Sequence, residues 1–177
     1  IEPAQPETDA EAVWQAVSET LFEALNTFTE MKITEGRHTE QDLENRLAVI
    51  EKAIGDIENR ASDLLDIYQQ RLKERIHSLT QGMIDIDEAR IAQEAAILAD
   101  KSDISEEINR SRSHLNQFRQ LMEAPDPAGR PLNFLLQEFN REFNTMGSKV
   151  GSAAISHVIV SAKTELEKIR EQVQNIE

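Results

Sequence analysis

The chain has 177 residues, 39% hydrophobic and 5% aromatic, with six Gly, five Pro and no Cys; this is a helix-bundle composition that excludes disulfides and thiolate metal sites. The net charge is −14, but residues 1–100 hold 9 Lys and Arg against 22 Asp and Glu, while residues 101–177 hold 10 against 11. The acidity that argues against nucleic acid therefore belongs to the first half, and with no apolar run near the ~20 residues of a bilayer span the sequence reads as cytoplasmic, with no membrane partner.

The chain opens at Ile1 without Met, the expectation being a fragment or a processed product, and IEPAQPE has the two prolines and lack of periodicity of a tail. Thr8 and Glu11 form a capping-box pattern. Trp14, Val17, Leu21, Leu25, Phe28 and Met31 then predict an amphipathic helix to about Thr34. A break is expected at Glu35, Gly36 and Arg37, and a second start at Thr39 and Asp42. Leu43, Leu47, Ile50, Ile54, Ile57, Ala61, Leu64 and Tyr68 make an a/d heptad seam that slips by a four-residue stutter into Leu72, Ile76 and Leu79. A helix from Thr39 to Leu79 would be about 60 Å long, which suits an arm or a contact with another subunit. Thr80 to Ile84 read as a turn, and Asp85 with Glu88 as the cap of a helix ending near Asp100. Asp103 with Glu106 predicts a fresh start whose apolar face is Ile104, Ile108, Leu115, Phe118 and Met122, with Ser111 at a seam position. Pro125 to Gly129 form a loop, and Pro131 suits the first turn of the next helix, whose core side is Leu132, Leu135, Leu136, Phe139 and Phe143. A kink or turn is expected between Gly147 and Gly151. Ala162, Leu166, Ile169, Val173 and Ile176 mark the last helix. The predicted fold is all-α: long antiparallel helices, with a coiled-coil-like arm over residues 1–84 and a C-terminal helical domain over residues 85–177.

Polar residues concentrate at helical spacing between Asp103 and Lys149, and over residues 101–149 seven cations balance seven carboxylates. Glu107, Arg110, His114 and Gln117 share one helix face; Gln137, Arg141, Asn144 and Ser148 share another, with Glu138 and Glu142 one position round. Folded back to back, the two stripes would face one cleft. Glu106, Glu107, Glu138 and Glu142 are candidate ligands for a hard divalent cation such as Mg²⁺ or Mn²⁺. Glu106 serves equally as the capping partner of Asp103, and Glu138 and Glu142 as surface partners of Arg141 or Arg130. His114 offers the imidazole of a proton shuttle, or packs a helix. Arg110, Arg130, Arg141 and Lys149 would meet phosphates; Gln137, Asn140 and Asn144 would hydrogen-bond a substrate or tie helices together. Glu74 and His77 lack the second Glu-x-x-His pair of a dimetal bundle. No Gly-rich phosphate loop, nucleophile elbow, zinc spacing or pair of RNA-stacking aromatics is present. The residues alone describe a helical oligomerisation module.

The stretches D-I-S-E-E, S-H-L-x-Q-F and L-L-Q-E-x-N-R-E-x-N-T-x-G-S-K resemble the C-terminal signature of the YicC-like family, and the ending LEKIREQVQNIE is similar too. The resemblance is dense from Gln93 onward. It implies a metal-dependent endoribonuclease with Mn²⁺ or Mg²⁺ as cofactor, RNA as substrate and a homo-oligomer, a hexamer. It places the site on Glu107, Arg110, His114, Gln137, Glu138, Arg141, Glu142, Asn144 and Lys149. The expected roles are metal-holding Glu107, Glu138 and Glu142, a proton shuttle at His114, and RNA contacts from Arg110, Arg130, Gln137, Arg141, Asn144 and Lys149. The family pattern G-R-K-L-D-F stands here as Gly129, Arg130, Pro131, Leu132, Asn133 and Phe134, so no catalytic role is expected at 131 or 133. The resemblance also implies an N-terminal domain of mixed structure that these 177 residues are not expected to contain, and a fragment without it is expected to be inactive if that domain completes the site. The rival reading remains a non-catalytic helical module for oligomerisation or docking.

Overall fold

The computed structural model describes residues 9–81, 83 and 87–176. Among them there are six helices and no strand: α1 (Ala10–Ala61), α2 (Leu64–Thr80), α3 (Glu88–Lys101), α4 (Ser105–Glu123), α5 (Gly129–Lys149) and α6 (Ala153–Val173). The all-α expectation holds.

The expected break at Gly36 does not occur. α1 runs unbroken through Glu35, Gly36 and Arg37, and no helix begins at Thr39. A lone glycine in a helix costs only about 1 kcal/mol relative to Ala, and good helix formers flank it on both sides. The interruption lies instead at Ser62 and Asp63. There the Ser62 hydroxyl donates to the Asn59 carbonyl oxygen at 2.7 Å and reaches Asp63 Oδ1 at 3.3 Å, local bonds that compete with the helical ladder. α3 is capped by Asp87, whose carboxylate accepts from the Ala89 and Arg90 amides. The patterns at Thr8 and at Asp85 lie outside the described residues. Asp103 and Glu106 do not form a capping box: Asp103 accepts from the Ser105 amide and hydroxyl, and Glu106 pairs with Arg110. α5 passes straight through Gly147, and the chain turns at residues 150–152.

Two compact units divide at Asp42 and Leu43. In the first, Trp14, Phe22, Phe28 and Met31 are all more than half exposed, and the Thr27, Thr29 and Thr34 hydroxyls bond back to carbonyls four residues earlier. The second unit holds the core. Leu43, Leu47, Ile50, Ile54 and Ile57 of α1 pack with Leu115 and Phe118 of α4, Leu136, Phe139 and Phe143 of α5, and Leu166 and Ile169 of α6. Cross-helix contacts fix an antiparallel order. Arg112 pairs with Glu58 and Arg119 with Glu51 and Glu44 between α4 and α1. Arg46 meets Glu165 at 3.0 Å between α1 and α6. α2 and α3 form a second antiparallel pair, joined by Lys73 to Glu88 at 2.6 Å and by the Tyr68 and Ser102 hydroxyls at 2.8 Å. At the far end, Gly129 opens α5 where no side chain fits: a Cβ there would lie 2.4 Å from the Ile176 carbonyl oxygen.

Candidate metal and phosphate site between α4 and α5

The phase of α5 is set by its apolar residues. Leu135, Phe139, Phe143 and Met146 are buried, which turns Glu138 and Glu142 toward α4 at the margin of the core. On α4, Glu107, Ser111, His114 and Phe118 recur every three or four residues and share the face that meets them. The result is a row of polar groups at the edge of an apolar interface.

His114, Glu138 and Glu142 come together, each offering one ligand atom within 4.8 Å of the others. Glu142 is 2% exposed, and its Oε1 has Arg110 Nη1 at 3.5 Å. The Phe139 ring meets His114 edge-on, with centroids 5.7 Å apart and planes at 70°, which holds the imidazole in place. Both His114 nitrogens are buried without a hydrogen-bond partner. Leaving buried polar atoms unsatisfied costs about 1–3 kcal/mol each, so this imidazole is set up for a ligand that supplies the missing bond. One imidazole nitrogen and two carboxylate oxygens form a donor set suited to a divalent transition cation, the carboxylates alone being the ligands that Mg²⁺ or Mn²⁺ favours. The residues present fit such an ion.

Glu107 lies two turns before His114 on the same face. Its Oε1 accepts from Lys149 Nζ at 2.8 Å, while its Oε2 is buried without a partner. The hydrogen bond to Glu107 raises the Lys149 ammonium above its ordinary value, and Lys149 also donates to the Asp103 carbonyl oxygen at 3.1 Å. The Ser105 hydroxyl and amide hold the Asp103 carboxyl below its ordinary value. The charges of Glu106 and then Glu142 raise the Arg110 guanidinium further. Ser111, the seam anomaly of the sequence, is fully buried between Glu107 and His114 with its Oγ unpartnered. It belongs to the polar row, and the one sequence signal for it was a hydroxyl at a position that called for an apolar side chain.

The remaining expected residues stand elsewhere. Asn144 accepts from Lys163 Nζ of α6 at 2.8 Å. Gln137 lines a cavity of about 240 Å³ with Asn133, Asn140, Arg170 and Gln174 on the α6 side. Arg141 is exposed, 3.9 Å from Glu138, and Arg130 is exposed at the start of α5. A larger cavity, about 620 Å³ near the α1–α2 and α3–α4 junctions, holds none of the expected site residues.

The fold is thus an all-α helical bundle that brings a His-Glu-Glu cluster and flanking cations to the interface of two helices. Residues 57–177 match the family described as "Endoribonuclease YicC-like, C-terminal", and the chain belongs to that family. It is 41% identical over 173 residues to the probable endoribonuclease YicC of Clostridioides difficile, covering 98% of this chain and 59% of that protein. To the probable endoribonuclease YicC of Haemophilus influenzae it is 30% identical over 171 residues, covering 97% of this chain and 58% of the relative. The chain thus spans under three fifths of the length of these curated relatives. No helix among the described residues is long and apolar enough to cross a membrane.

Proposed function

We propose that this chain is the helical portion of a metal-dependent endoribonuclease, with His114, Glu138 and Glu142 holding a divalent cation. The observation that carries the reading is the convergence of these three ligand groups within 4.8 Å around an imidazole whose nitrogens have no other partner. When bound, such a cation polarises a phosphodiester and acidifies an attacking hydroxyl or water. Glu142, buried and charge-compensated by Arg110, is the fixed ligand. Glu138, whose side chain is 27% exposed, has the solvent access to accept a proton from the nucleophile. Arg110 is half exposed beside the cluster, placed to meet a phosphate oxygen while keeping Glu142 in register. Glu107 and Lys149 act one step back: the pair fixes the ends of α4 and α5, and the exposed side of the Lys149 ammonium extends the positive margin toward RNA. Arg130 and Arg141 continue that margin along α5. Asn144, bonded to Lys163, ties α5 to α6, and Gln137 lines the cavity on that side.

The substrate is RNA, the cofactor Mn²⁺ or Mg²⁺, the assembly a homo-oligomer such as a hexamer, and the compartment the cytoplasm. The exposed apolar residues of the first unit support the assembly. They also favour a second reading, in which the chain is a non-catalytic module that oligomerises or docks a separate catalytic domain.

Cleavage of an end-labelled single-stranded RNA with Mn²⁺, with Mg²⁺ and with EDTA separates the two. Metal-dependent internal cuts that Glu138→Gln and His114→Ala remove, at unchanged helicity and subunit number, are the expected result. Cuts that persist in both variants would place the chemistry elsewhere. Absence of cutting here, with activity in a full-length relative that survives the equivalent substitutions, would favour the docking module.

A further inference from the structure

α5 keeps its apolar side chains in the core with one large exception. Phe134 is 60% exposed, while Leu132, Leu135, Leu136, Phe139 and Phe143 are buried. It stands one turn before Glu138 on the same face and one turn after Arg130, and Arg141 follows two turns on. Side chains on a helix lean toward its N-terminus, so the ring covers the turn between Arg130 and its own Cα. Arg130 makes no ion pair among the described residues, and the Arg141 contact with Glu138 is long, at 3.9 Å. A single exposed phenyl ring needs no explanation on most surfaces. This one lies along the helix between two exposed arginines, one turn before Glu138 of the His114 cluster.

We propose that Phe134 is a stacking platform for the nucleobase next to the scissile phosphodiester of a single-stranded RNA, with Arg130 and Arg141 meeting the flanking phosphates. The proposal rests on the endoribonuclease reading of the His114 site and adds its substrate form. A duplex keeps its bases stacked inside and shows a helix surface mainly sugars and phosphates, whereas an unpaired base offers a free face to an aromatic ring. Every base has such a face, so the contact selects unpaired RNA with little sequence preference. Cations on either side of the ring supply the backbone contacts that fix the register of the strand.

The test compares wild type, Phe134→Leu and Phe134→Trp. Binding of a labelled single-stranded RNA is followed by anisotropy in EDTA, cleavage is followed in Mn²⁺, and subunit number by light scattering. Phe134→Leu should weaken binding and raise KM by about five- to a hundredfold, the loss of one stacked base, with kcat little changed. Phe134→Trp should restore both. An abasic nucleotide at the stacked position should erase the difference between wild type and Phe134→Leu. Wild-type cleavage with equal binding and KM in Phe134→Leu would overturn the stacking role and leave the nuclease reading intact. A change of subunit number in Phe134→Leu would overturn it in favour of a contact between copies of the chain. Wild type that neither binds nor cuts RNA would overturn both.

Discussion

Replacing Lys149 by Met should destabilise the fold by about 2–3 kcal/mol, well above the worth of a surface ion pair. Glu107 is 5% exposed, and Lys149 Nζ at 2.8 Å is the cation beside its carboxylate. Without it a nearly buried carboxylate stands uncompensated, a change that costs about 3–5 kcal/mol when both partners are fully buried. The Lys149 side chain is 37% exposed, so water screens part of the charge and the cost falls below that range. Glu107→Gln should cost less, about 1 kcal/mol, because the amide needs no counter-charge and the freed ammonium returns to water. The double variant should recover part of the Lys149→Met loss, with a coupling of about 1–2 kcal/mol. Urea titrations followed by helical circular dichroism, at fixed protein concentration, measure all four corners of the cycle. The pH dependence has a defined sign. Glu107 raises Lys149 above its ordinary 10.5, so the contribution is complete below that value and disappears as pH rises through the higher folded one. The gap between wild type and Lys149→Met should therefore narrow at alkaline pH. A Lys149→Met variant within about 0.5 kcal/mol of wild type, or a double variant no more stable than Lys149→Met, would refute the argument.

Mn²⁺ at a hundred times its Kd should stabilise wild type by about 2.7 kcal/mol; thermal melts should show this gain lost in His114→Ala and Glu138→Gln and kept in Glu107→Gln. Gly129→Ala drives a Cβ to 2.4 Å from the Ile176 carbonyl oxygen, so its melting temperature should fall, reflecting about 1–3 kcal/mol of overpacking that outweighs the gain in helix propensity. Glu165 is held below its ordinary 4.5, chiefly by the Lys168 hydrogen bond, with Arg46 adding to it. Its contribution is complete above the ordinary value and is lost as pH falls through the lower folded one, so Glu165→Gln should lose less stability than wild type on acidification, read from denaturation midpoints across that range.

Apolar spacing made the helices legible, because burial of one face is what stabilises them. Boundaries were harder. Gly36 is a weak breaker held directly between Glu35 and Arg37, both good helix formers, while the break at Ser62 and Asp63 depends on side-chain bonds that no periodicity announces. Spacing also singled out His114, Glu138 and Glu142 as members of stripes. It did not say which stripe of α5 turns toward α4. Gln137, Arg141 and Asn144 formed the more regular series, yet the burial of Phe139 and Phe143 rotates that series away and brings Glu138 and Glu142 inward. The pairing of Glu107 with Lys149 joins the start of one helix to the end of the next, a relation set by the length of the loop between them.

The antiparallel pairing of α4 with α5 bears on the order in which the molecule forms. His114 is 24 and 28 residues from Glu138 and Glu142 in the chain, so the cluster closes within one helical hairpin, a local event of the kind that folds fast. The Arg46–Glu165 clasp spans 119 residues and carries a larger loop-closure entropy. A nascent chain would therefore assemble the His-Glu-Glu cluster before α1 docks against α6. Metal captured at that hairpin would favour the native pairing while the rest of the bundle is still open.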